Sequence, residues 1–295
     1  MIKRDLTKIP KVPFVPKGNA KTIDFILLEE LMLREDLLKD HSPFELHRIG
    51  FNAILINTGE EVRHKVDFKE ISIKKNDALV LVKGQVHSFG DSDKYKGYLI
   101  LMNDEFMLKH LSASAQQHLH LLKPLYFSSP KYTLNEIQLS KISTIENIWN
   151  NQKQVFFEDI LANHLINFLF LLQAVESSQQ MDPTTIEYRD SQLFVKFNAL
   201  IQQHLASNRN ALFYAEKLAI SYKVLNSICK SITRGTAKEY IDEIVTLEAK
   251  RLIVTKKASI LETAIECGFQ DATNFSKYFK KRTGFTPGQF KAQFV

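Results

Sequence analysis

The last third of this chain carries one pattern twice, fifty residues apart. Around "SYKVLNSICKSI", Tyr222, Leu225, Ile228, Cys229 and Ile232 fall on one side of a helix. At about 100° per residue, Lys223, Asn226, Ser227, Lys230 and Ser231 fall on the other. Adding fifty to each apolar position gives Ala272, Phe275, Tyr278, Phe279 and Arg282 in "ATNFSKYFKKRT". The capping residues repeat at the same offset, Ser221 with Asp271 before the helix and Thr236 with Thr286 after it. Chance amphipathicity does not repeat core and caps together, so this is an internal duplication of one folding unit.

The second copy is the clearer. Asp271 as N-cap and Gly284 as C′ residue bound a helix over 272–283. Its polar face holds Thr273, Ser276, Lys277, Lys280 and Lys281. Just upstream, "SILETAIECGF" reads as another helix, opened by a Ser259/Glu262 capping box and ended by Gly268. Helix, tight turn and a second helix with a basic face make a helix-turn-helix. Between the copies, Thr236 and Glu239 form a further capping box before "KEYIDEIVTLEAKRLIV", with Ile241, Ile244, Val245 and Leu252 on its inner side. At about 1.5 Å per residue this helix spans roughly 25–30 Å. Two polar helices held at its ends match successive major grooves, about 34 Å apart on one face of a duplex.

Charge follows the same division. Residues 190–295 hold 16 Lys+Arg against 9 Asp+Glu, whereas residues 1–189 hold 23 against 24. The whole net charge of +6 therefore comes from the duplicated region, which suits a polyanionic partner. Two cysteines, Cys229 and Cys267, supply no disulfide framework and no metal-binding spacing. The N-terminus has no signal-peptide apolar run, and "ILANHLINFLFLLQAV" is interrupted by Asn163, His164 and Asn167. A cytoplasmic protein without a membrane partner is expected.

On the motifs "AEKLAISYKVLNSICK", "LEAKRLI" and "AIECGFQDATNFSKYFKKRTGFTPGQFK", the region from about 190 to 295 resembles the DNA-binding domain of the AraC/XylS family of transcriptional regulators. The resemblance implies a pair of helix-turn-helix units that read double-stranded DNA as one rigid module. It aligns Lys223, Asn226 and Ser227 with base-facing positions of the first recognition helix, and Ala272, Thr273 and Lys277 with those of the second. Ser276 shares the second polar face, and Lys230 and Lys280 are placed for phosphates. The chemistry agrees: Asn pairs with adenine, Lys suits guanine, and Ala or a Thr methyl suits the thymine methyl. Two positions depart from the family pattern. Arg234 precedes Gly235 where a glycine is expected, and Ile244 stands where an arginine is usual.

The N-terminal half reads differently. After a Pro- and Lys-containing lead-in over 1–22, the runs "FNAILIN", "EISI", "ALVLV" and "GYLILM" between 44 and 102 are short strands of a small sandwich or barrel. Asn103 caps "DEFMLKHL", longer amphipathic helices follow near 134–150 and 155–177, and "ESSQQMDPTTIEYRDSQ" reads as a linker. The stretch "HRIGFNAILINTGEEVRHKVDFKEISIKKNDALVLVKGQVHSF" resembles the cupin-like sensor domain of the same family. The resemblance implies a β-barrel with trailing helices that often dimerise.

The expected architecture is therefore an α+β two-domain chain. Residues 1–180 form a cupin-like sensor and dimerisation domain, and residues 190–295 form an all-α domain with two helix-turn-helix units. His47, His64 and His87 are candidate effector contacts. Each stands alone in sequence, and the HxH-then-Glu pattern of metal cupins is absent, so no metal or other cofactor is expected. Ile160, Leu161, Leu165, Phe168, Leu169 and Leu172 make a broad apolar face that serves either the barrel or a homodimer seam, and the seam is the expectation taken forward. The function expected is a sequence-specific, effector-responsive transcriptional activator working with RNA polymerase, and not an enzyme. The rivals are a metal-dependent cupin enzyme with a basic helical accessory domain, and an architectural DNA binder.

Overall fold

The computed structural model describes residues 11–16, 18–31, 42–90, 94–112, 131–180, 188–255 and 259–294. They form two compact units, one within Pro10–Gln180 and one within Met181–Val295.

The first unit opens with β1 (Lys11–Val12), β2 (Ile23–Leu27) and the short α1 (Leu28–Leu31). The strands β3 (His47–Ile49), β4 (Asn52–Asn57), β5 (Val62–Val66), β6 (Lys69–Ile73), β7 (Asp77–Leu81), β8 (Val86–Phe89) and β9 (Gly97–Met102) follow. Then come α2 (Asp104–His110), β10 (Lys131–Thr133), α3 (Glu136–Trp149) and α4 (Phe157–Gln180). The strands make two five-stranded sheets, ordered β1-β3-β8-β5-β6 and β10-β7-β4-β9-β2. β2 follows the lead-in and was not among the expected strands, yet it pairs antiparallel with β9 along its whole length, Ile23 opposite Met102 and Leu27 opposite Tyr98.

Central strand β4 is buried on both faces, and alternation sorts its side chains between two cores. Ala53 and Leu55 join Leu79, Leu81, Leu99 and Leu101 against Ile49, Val62, Val66, Ile73 and Phe89 of the facing sheet. Ile54 and Ile56 turn the other way, toward α3 and α4. On α4, Leu161, Leu165, Phe168, Leu169 and Leu172 are fully buried in this second core. That overturns the dimer seam expected on these side chains: they cover the back of their own sheet, and Ile160 is half-buried beside them. The outer side of α4 presents Asn163 and Asn167.

The expected linker over 176–192 is shorter than its composition suggests. α4 continues to Gln180 and α5 begins at Tyr188, which leaves 181–187, outside the described residues. The second unit consists of α5 (Tyr188–His204), α6 (Ala211–Lys217), α7 (Tyr222–Thr233), α8 (Ala237–Thr255), α9 (Ile260–Glu266), α10 (Ala272–Thr283) and α11 (Pro287–Lys291). The duplication is visible in three dimensions as α6–α7 and α9–α10. The turns differ by one residue: four positions separate α6 from α7 and five separate α9 from α10. Ala219 and Gly268 both take left-handed backbone in these turns, at φ +53° and +75°. A Cβ on Gly268 would meet the Leu205 carbonyl oxygen at 2.9 Å, so glycine there also permits the turn to close on the end of α5.

Two outcomes follow. Gly268→Ala destabilises the second unit by about 1–3 kcal/mol in denaturant melts, through strained φ and a backbone clash, whereas Ala219→Gly does not. An unchanged Gly268→Ala midpoint contradicts the turn geometry. The double substitution Leu165→Glu, Leu169→Glu yields insoluble or molten protein, because both charges enter the core unpaired. Recovery of a folded monomer contradicts the packing of α4.

Candidate nucleic-acid interface

Each recognition helix starts and stops by its own chemistry. The Ser221 side chain accepts the Val224 N–H at 3.2 Å to open α7, and Asp271 accepts the Asn274 N–H at 2.7 Å to open α10. Burial of Leu225, Ile228 and Cys229 fixes one face of α7, and burial of Phe275 and Phe279 fixes that of α10. Phe269, Phe275, Phe279 and Phe290 stack in sequence, with centroids 5.3, 5.8 and 5.5 Å apart, and the Arg209 guanidinium lies 3.6 Å from the Phe269 centroid. Both cysteines are buried, which pushes each thiol up to about 12 and keeps it protonated.

The opposite faces are solvated. Lys223, Ser227 and Lys230 are exposed on α7, and Thr273, Lys277 and Lys280 are exposed on α10. Ala272 and Ser276 are half-buried at the margin of the second face. Tyr222, expected in the core, is 42% exposed. It is the first residue of α7. Val224 is exposed beside it, so the start of α7 offers an aromatic and an aliphatic side chain flanking Lys223. Helical periodicity places Tyr222 on the apolar face and does not single out Val224.

Asn226 differs from the other candidates. It is half-buried, and its Oδ1 accepts the N–H of Ala237, the first residue of α8, at 2.9 Å. The second copy has no such bond to make, because the position fifty residues on from Ala237 is Pro287, which has no N–H.

Both recognition helices are fastened to α8. Tyr278 donates to the Asp242 backbone carbonyl at 2.7 Å, and Arg282 donates to its carboxylate at 2.5 Å. Lys238 approaches the other carboxylate oxygen at 2.5 Å. On the first side, Tyr240 donates to Asn198 at 3.0 Å. Ile244, at the family's arginine position, is fully buried, as are Ile241 and Val245. At the far ends of the recognition helices, Gly284 takes φ +82° and Arg234 takes φ +62°. The first copy therefore makes the same left-handed exit without glycine.

In sequence His47, His64 and His87 each stand alone, but the strands bring them together. His47 faces His87 directly across β3 and β8, and His64 is diagonal to His87 across β5. His64 Nε2 and His87 Nδ1 are 3.0 Å apart, and the His47 and His87 ring centroids are 4.2 Å apart. His64 Nδ1 meets the Tyr95 hydroxyl at 3.1 Å. All three are buried, on the face of their sheet that also carries Ile49, Val62, Val66 and Phe89. Burial, then the neighbouring His47, lower the pKa of His64 to about 3, so it is neutral at physiological pH. Among the described residues, no group of three or more His, Cys, Asp or Glu has a metal-binding arrangement.

Residues 214–293 match the family model described as a helix-turn-helix domain. The chain is 31% identical over 125 residues to a helix-turn-helix transcriptional regulator encoded in the cgkA 5′ region of Pseudoalteromonas carrageenovora, covering 42% of this chain and 74% of that one. It is 23% identical over 274 residues to the transcriptional activator RhaR of Mannheimia succiniciproducens, covering 92% of this chain and 95% of the relative. A crystal structure of ToxT from Vibrio cholerae aligns with 93% of this chain and 100% of its own, at 13% identity and a TM-score of 0.44. No helix among the described residues is long and apolar enough to cross a membrane.

The histidine cluster sets a pH dependence. The folded pKa of His64 lies below its unfolded value of about 6.5, so the unfolded chain binds the extra proton. Stability is complete above about pH 6.5 and falls as the pH drops toward 3, by about 2 kcal/mol at pH 5. His64→Leu flattens that slope in denaturant melts between pH 7.5 and 5. A wild-type slope that persists in the variant contradicts the assignment to His64.

Proposed function

The chain belongs to the AraC/XylS family of helix-turn-helix transcriptional regulators, and from that premise we propose how this sequence-specific DNA-binding protein engages its target. Helices α7 and α10 enter successive major grooves on one face of the duplex. Lys223, Ser227, Thr273 and Lys277 meet base edges, with Ala272 and Ser276 at the margin of the second contact. Lys230 and Lys280 meet phosphates and set register rather than sequence. The carrying observation is that two helices with exposed basic faces, repeated by duplication, are each hydrogen-bonded to one helix through other side chains.

The first unit acts as the sensor in this reading. Its effector is a small molecule received between the sheets at His47, His64 and His87, whose ring nitrogens supply polar contacts. The regulator works in the cytoplasm as a homodimer and activates transcription by contact with RNA polymerase. Pairing two tandem readers raises occupancy through effective concentration. With the apolar side of α4 committed to its own sheet, the dimer surface assigned here is its outer side, with Asn163 and Asn167.

Affinity for duplex DNA falls steeply with salt as bound counterions are released. Lys277→Ala reduces discrimination between a selected site and its point variants by about 1–3 kcal/mol. Lys280→Ala weakens all sequences alike and lowers the salt slope by about one. Equal losses on specific and random DNA for both variants place the reading face elsewhere. Sedimentation as a monomer at micromolar concentration, with and without DNA, ends the dimer proposal and leaves DNA reading intact.

A further inference from the structure

Asn226 lies on the recognition helix of the first copy, but its side chain is directed to protein. The Ala237 amide it serves is the first of α8, and Ala237 is fully buried. The first amides of a helix have no partner within the helix, and the Thr236–Glu239 capping box occupies other groups: Thr236 Oγ1 takes the Glu239 N–H at 3.2 Å, and Glu239 takes the Thr236 N–H at 2.7 Å. Thr286 and Gln289 repeat that box in the second copy, with bonds of 3.2 and 2.9 Å. There the next residue is Pro287, so the position equivalent to Ala237 has no amide to satisfy. The duplicated junction thus has two solutions to one problem, an acceptor from the recognition helix in the first copy and removal of the donor in the second.

We infer that Asn226 is a positioning residue, not a base reader: it keeps the junction between α7 and α8 closed and thereby fixes the spacing between the two recognition helices. Without an acceptor, the buried Ala237 amide must recruit water or shift the start of α8. Either change moves α7 relative to α8, and α10 is separately bound to α8 through Asp242. The consequence for DNA is a looser distance between the two sites read, with base preference at each unchanged. This inference rests on the proposed tandem reading of DNA.

The test is a double-mutant cycle with two readouts on the full chain. Asn226→Ala lowers the melting midpoint of the second unit by about 4–8 °C. Ala237→Pro removes the amide, as Pro287 does naturally, and Asn226→Ala costs nothing further in that background. In selections from a random duplex library, wild type enriches two sequence blocks at a fixed separation. Asn226→Ala enriches the same blocks at mixed separations, and Asn226→Ala with Ala237→Pro restores the single separation. Loss of preference at one base pair, with separation unchanged and no rescue by Ala237→Pro, overturns the inference and makes Asn226 a reader. An additive melting cycle also overturns it. If wild type enriches no sequence, the DNA reading itself fails, and the melting cycle still decides whether Asn226 holds the junction. If Asn226→Ala alone does not fold, the base preferences are read in the Ala237→Pro background, where a retained preference supports the positioning role and a lost one refutes it.

Discussion

Helix α8 is the constraint on which the second unit depends. Twelve of its nineteen residues are buried, too many for a helix resting on one surface. The sequence pattern of Ile241, Ile244, Val245 and Leu252 describes one buried side, and those four are buried. Asp242, Thr246, Ala249 and Ile253 are buried as well, so the apolar stripe is only part of the packed surface. Ile244 illustrates the point. An arginine in its place would need an ion partner or a path to water, and isoleucine needs only the packing it has. Around this helix, one recognition helix is held by an asparagine at the amino end and the other by a tyrosine and an arginine on Asp242.

The two copies solve shared geometric problems with different residues. Both turns visit left-handed backbone, through Ala219 in one and Gly268 in the other. A Cβ at Gly268 would be pressed against a carbonyl at the end of α5, whereas Ala219 is exposed. Both recognition helices leave through a left-handed residue, Arg234 or Gly284. The non-glycine choices store a modest strain, of order 1 kcal/mol each, that packing of the unit overcomes.

Much of this unit was legible because caps, apolar spacing and duplication act locally and agree. Asp271, Gly284, Thr236 with Glu239 and Ser259 with Glu262 do in three dimensions what their positions imply. What was not legible depends on tertiary neighbours. Tyr222 satisfies the periodicity of a buried face, but at the first position of α7 it stays 42% exposed. Asn226 satisfies the periodicity of an exposed face, but the start of α8 lies within its reach. In the first unit, a greasy α4 looked sufficient for a partner because the area of sheet it must cover is not visible in one dimension. β4 needs α3 and α4 on one face and a second sheet on the other, and that demand consumes the apolar side of α4. The histidines are 17 and 23 residues apart in sequence and become neighbours only through strand pairing.

The central claim is that two recognition helices, fixed on one rod, read one face of a duplex. Hydroxyl-radical footprinting of the full chain on a sequence enriched from random DNA addresses it most directly. The account predicts two windows of protection centred about one helical turn apart, roughly 10–10.5 base pairs, on the same face for each tandem unit. A single window per unit, or continuous protection around the duplex, would contradict it.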